Sequence, residues 1–87
     1  MPITHTTGAT SSSTKKVCVD SMVSSIRRIR EGQRDFAKYV REGKEDLADA
    51  TIERLVKLNQ RKEGKQQLID ELGLTAYVAA AVERENL

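Results

Sequence analysis

The side chains of this 87-residue chain best placed to do chemistry are its cations, and they are not scattered at random. In one stretch Arg27, Arg30, Arg34, Lys38 and Arg41 recur at intervals of 3, 4, 4 and 3 residues. Further on, Arg54, Lys57, Arg61 and Lys65 recur at 3, 4 and 4, with Lys62 beside them. Such intervals hold side chains on one face of a helix. Two cationic rows on long, rigid elements suit a ligand whose negative charge repeats along a line. A nucleic-acid duplex is such a ligand, and each phosphate neutralised releases condensed counterions. Acids stand close by on the same turns (Glu31, Asp35, Glu42, Glu45, Glu53), so the rows also read as an ordinary salt-bridged, solvated surface.

The net charge of +2 is uneven: residues 1–26 carry +1, residues 27–65 carry +4 and residues 66–87 carry −3. That asymmetry permits a polyanionic partner without requiring one. Other chemistries find little support. One Cys precludes an internal disulfide, and one His with no His/Cys cluster leaves no expected metal site and no cofactor. There is no Ser/His/Asp set, no sign of a carboxylate pair in a pocket and no glycine-rich phosphate loop, so no catalytic residues and no small-molecule substrate are expected. Phe36, Tyr39 and Tyr77 are the whole aromatic complement, too few for a platform that stacks single-stranded bases. Cys18 reads as a small, half-buried helix residue, and Tyr77 as a packing residue. No apolar run is long enough to span a bilayer, and no apolar h-region follows the start, so the chain is expected in the cytoplasm, with no membrane partner.

Rows of this kind need long helices to carry them. Residues 1–14 hold eight Ser/Thr and almost nothing to bury, and are expected to be a disordered tail before a single helical domain over 15–87. From there Val19, Met22, Ile26, Ile29, Gln33, Phe36 and Val40 follow alternating intervals of 3 and 4, an a/d heptad that predicts a helix over about 17–42 packed on other helices. Gln33, its polar member, is expected to set register, and Gly43 to end the helix. Glu45, Asp46 and Asp49 open a second helix, over about 45–72. Its stripe uses Leu47, Thr51, Leu55 and Leu58, broadened by Ile52 and Val56, fades over residues 59–67 and resumes with Leu68, Ile69 and Leu72, and Gly73 closes it. Thr75 is placed as the N-cap of a short third helix over about 75–84, with Val78 and Val82 on its inner face. The fold class is all-α: long, long, short. Such a chain makes only a thin apolar seam, so a homodimer with a four-helix-bundle-like arrangement is expected to cover it.

The segment Leu72-Gly-Leu-Thr-Ala-Tyr-Val78-Ala-Ala-Ala-Val82, with Asp46-Leu47, Glu53 and Leu55 before it, resembles the second and third helices of the small RNA-silencing suppressors of insect nodaviruses. The resemblance covers about residues 45–84, and differs in having Gly73-Leu74-Thr75 where a Pro-containing turn is usual. It implies a dimeric helical protein that binds double-stranded RNA without reading sequence and shields it from the silencing machinery of the host, in whose cytoplasm a viral protein would act. Two alternatives stay open. The seam also suits a helical adaptor that pairs with another protein. Residues Gln67–Glu85 also fit a helix-turn-helix DNA-binding regulator, although its second helix, rich in Ala and ending in acids, offers few groups to hydrogen-bond to bases.

Overall fold

The computed structural model describes residues 12–87 and contains three helices: α1 (Ser12–Arg41), α2 (Glu45–Glu71) and α3 (Thr75–Arg84). The fold is all-α, with no strand among the described residues. At 1.5 Å per residue the two long helices run to roughly 45 and 40 Å and the third to about 15 Å. None of them is long and apolar enough to cross a membrane. α1 begins at Ser12 and not near residue 17, so residues 12–14 are helical where a disordered tail was expected. No Pro or Gly interrupts that stretch, and a turn projecting beyond the core needs no apolar residue to form. The rest of the expected tail, residues 1–11, lies outside the described residues.

The turns follow from local chemistry. Gly43 and Gly73 adopt φ of +69° and +68°, a left-handed conformation that L side chains rarely take. At the end of α1 the Lys44 amide donates to the Tyr39 carbonyl (2.9 Å) and that of Gly43 to Val40 (3.2 Å). The end of α2 repeats the pattern, with Leu74 donating to Ile69 (2.9 Å) and Gly73 to Asp70 (3.1 Å). Both are Schellman motifs. At the second, Leu74 and Ile69 are also the flanking apolar pair, each 1% exposed. Thr75 does not cap α3. It is the first helical residue, and its hydroxyl donates to Asp70 Oδ1 at 2.9 Å instead.

The core sits where all three helices meet. Met22, Ile69, Leu74 and Val78 are buried together, with Cys18, Val19, Ile26, Leu72 and Val82 packed around them. α3 therefore covers only the half of the hairpin away from its turn. Toward the turn α1 and α2 have only each other, and small residues are buried there, with Leu55 packed onto Gly32. Gly32 is buried on α1, and Ala48 and Thr51 on α2. The Thr51 hydroxyl bonds back to the Leu47 carbonyl at 2.7 Å, so it enters the seam already satisfied.

This geometry revises the expected seam. On α1, Met22 and Ile29 are buried and Val19, Ile26 and Phe36 half-buried, but Gln33 is exposed and Val40 is 56% exposed. Buried Gly32 stands beside Gln33 at the helix contact. On α2, Ile69 is buried and Leu55, Leu58 and Leu72 half-buried, whereas Leu47, Ile52, Val56 and Leu68 are 46%, 44%, 50% and 47% exposed. Ile52 and Val56 do not widen the buried face. They stand free because the close helix contact turns Ala48 and Thr51 inward in their place. The true α2 seam is Ala48, Thr51, Leu55, Leu58, Lys62, Lys65, Ile69 and Leu72, an unbroken alternation of 3 and 4 with two lysines inside it.

Candidate nucleic-acid interface

The expected α1 row is exposed along its length but does not serve one face. Arg34 lines a groove of about 610 Å³ between α1 and α2, together with Arg28, Glu31, Asp35, Arg54 and Leu58. Arg30 lines the opposite side, in a pocket shared with Ile26, Ile29, Gln33, Asn59, Lys62 and Val82. Arg27 is paired with Glu85, just beyond α3. That hydrogen bond, and then the carboxylate's charge, raises the Arg27 pKa above its ordinary value. Lys38 and Arg41 fall in the last turn of α1, where cations complement the helix dipole.

The α2 row divides in the same way. Arg54 Nη2 donates to Asp35 Oδ2 at 3.0 Å across the groove, and both groups are about half exposed, so the pair organises the surface more than it stabilises it. Lys57 is exposed and lines neither cavity, whereas Arg61 lines a further pocket. Lys62 and Lys65 were expected on the outer face but are half-buried at seam positions. Their long stems allow this, since a lysine covers apolar surface with its methylenes and keeps its ammonium where polar groups can meet it. Lys65 Nζ meets two: the Ser25 hydroxyl at 2.6 Å and the Ser21 carbonyl at 3.3 Å.

The two helices thus place a set of cations on one side of the hairpin that neither row predicted. Arg28 is common to the large groove and to an adjoining pocket of about 220 Å³ lined by Ser21, Ser24, Ser25, Leu58, Arg61 and Lys65. From the turn end outward the line of charge is Arg34 and Arg54, then Arg28, then Arg61 and Lys65. The row through Arg27 and Arg30 missed Arg28, which lies a full helical step off that line. The available signal was its spacing from Ser21, Ser24 and Ser25, which share a face with it. On the far side of the molecule Tyr77 is 59% exposed, not packed. It lines a pocket of about 430 Å³ with Lys15, Lys16, Val19, Asp20, Ala80 and Arg84.

Compared with known proteins, the chain matches no family model, no curated protein and no solved structure.

Proposed function

We propose that the chain binds double-stranded RNA without reading its sequence, as a homodimer, through the cationic side of the α1–α2 hairpin. The observation that carries the reading is the line of Arg34, Arg28, Arg61 and Lys65 along one inter-helix groove, four cations that make no ion pair among the described residues. A pair of parallel-lying 40 Å helices is too broad to enter a DNA major groove and present side chains to base edges. It can lie across a duplex and meet its phosphates and 2′-hydroxyls, the way A-form RNA is recognised by shape. Homodimerisation is supported by the half of the hairpin that α3 leaves uncovered. Val40, Ile52 and Val56 are exposed there beside half-buried Phe36, and a second copy offers the same apolar surface in return. The resemblance over about residues 45–84 points the same way, and under it the duplex would be shielded from host silencing in the cytoplasm.

The test is a mobility-shift panel with RNA duplexes of unrelated sequence, the matching DNA duplex and single strands, repeated across salt. With about eight phosphate contacts from a dimer, affinity for RNA duplex should fall roughly 10³–10⁵-fold between 50 and 200 mM salt. Joint replacement of Arg28, Arg34 and Arg61 by Glu should abolish the shift with helicity unchanged. A shift that survives this variant would remove the groove from the interface. A preferred DNA sequence would point to a regulator, and no shift with any nucleic acid to a protein-binding adaptor.

A further inference from the structure

We propose that the pocket lined by Ser21, Ser24, Ser25, Arg28, Arg61 and Lys65 is a discrete binding site for a single phosphate group. Three features set it apart from the rest of the cationic groove. Its lining contains three hydroxyls and three cations, with Leu58 as the remaining member and no carboxylate. The adjoining cavity, by contrast, includes Glu31 and Asp35, and Asp35 already occupies Arg54. An anion entering the groove therefore meets cations mixed with carboxylates at one end, and cations and hydroxyls without a carboxylate at the other.

The second feature is Lys65. Lys65 is half-buried, its ammonium is held by the Ser25 hydroxyl and the Ser21 carbonyl, and it makes no ion pair among the described residues. The ammonium is thus fixed in place by neutral groups alone, and an oxyanion at the pocket would supply the missing counter-charge. An ammonium has three N–H donors and two are used, so one is left for a ligand. Ser25, which fixes it, is itself only 6% exposed, so the floor of the site is set by packing rather than by loose surface chains.

The third feature is size and polarity. About 220 Å³ is roughly the bulk share of seven waters, enough for one tetrahedral oxyanion with part of its hydration. With Leu58 alone as apolar lining, the pocket offers no surface on which a base could stack. Arg28 and Arg61, exposed at the rim, supply planar forks that match phosphate oxygens, while Lys65 acts from below as a point charge. Because the pocket lies in the groove assigned to the duplex, its natural occupant is taken as a backbone phosphate, and that choice of source rests on the duplex reading. The site itself stands on its own lining.

The two are separated by titrating the full chain with inorganic phosphate, with a nucleoside 5′-monophosphate and with RNA duplex, each against chloride at matched ionic strength, and following backbone amides by NMR. Saturable shifts are expected at Ser21–Arg28 and Arg61–Lys65 with both small ligands. Arg61→Gln, an exposed substitution that leaves the seam intact, should weaken the small ligands about ten- to hundredfold, the effect of losing a charge-assisted hydrogen bond. Lys65→Met, which keeps the stem in the seam, should do the same. Unsaturated drift spread equally over Arg30 and Lys57 would overturn the site, as would unchanged midpoints in both variants. Duplex binding without phosphate saturation would overturn the pocket alone. Phosphate saturation without duplex binding would uphold the pocket as a site for free phosphate esters and overturn the duplex reading alone.

Discussion

Alanine at Gly64 and alanine at Gly32 change the same thing in the helix backbone and opposite things in the packing. In either helix interior, Ala is favoured over Gly by about 1 kcal/mol. Gly64 is exposed and a Cβ there meets nothing within 4 Å, so Gly64→Ala should keep that gain and raise Tm by about 4–8 °C for a domain of this size. At Gly32 the new Cβ would lie 2.6 Å from Leu55 Cδ2, 3.3 Å from Leu55 Cγ and 3.4 Å from Arg54 Nη2. Carbon atoms prefer roughly 3.5–4.0 Å, so Leu55 must retreat by about 1 Å. Overpacking of this kind costs about 1–3 kcal/mol. The Cδ2 methyl is the far end of a flexible side chain, but the Cγ contact limits how far rotation alone can relieve it. Gly32→Ala should therefore run from neutral to about 2 kcal/mol destabilised. The readout is urea or thermal unfolding followed by far-UV circular dichroism, at one fixed protein concentration because association would shift the midpoint. If both variants gain equally, α1 and α2 do not meet at Gly32, and the seam derived from that contact is wrong.

Two further outcomes follow from other parts of the molecule. Joint Ile52→Glu and Val56→Glu should convert the proposed dimer to monomer in sedimentation velocity while far-UV dichroism is retained, because both side chains are exposed in the protomer; a persisting dimer would place the interface elsewhere, and a monomeric parent chain would remove the dimer itself. Glu42 accepts a hydrogen bond from Lys44, and that bond, more than the neighbouring positive charge, lowers its carboxyl pKa. A depressed folded value means the pairing favours the fold above the ordinary glutamate pKa, and its contribution is lost as pH falls through the lowered value. An NMR titration should find the Glu42 midpoint below that of a free glutamate, and Lys44→Ala should raise it toward that value. No change in the variant would refute the assignment.

The three helices and the two turns between them were legible residue by residue because they depend on neighbours in the chain, although α1 starts earlier than its apolar pattern and Thr75 does not cap α3. Gly43 and Gly73 mark the two turns wherever the rest of the protein lies, since only a residue without Cβ takes positive φ cheaply. The acids Glu45 and Asp46 open α2 for an equally local reason.

What no spacing within one helix conveys is how that helix is rotated about its axis against its neighbour. The close approach at Gly32, with Ala48 and Thr51 turned inward, decides that rotation. It exposes Ile52 and Val56, sends Arg30 and Arg34 to opposite sides, and brings Arg28 from α1 beside Arg61 from α2. Lys65 is the sharpest case. Hydropathy assigns it to water, and only the hydroxyl and carbonyl that α1 holds out to it make a seam position habitable for a charge. Chain chemistry alone therefore determined three helices and their turns, while contacts between helices, which depend on the shape of both partners at once, decided which charges form a site.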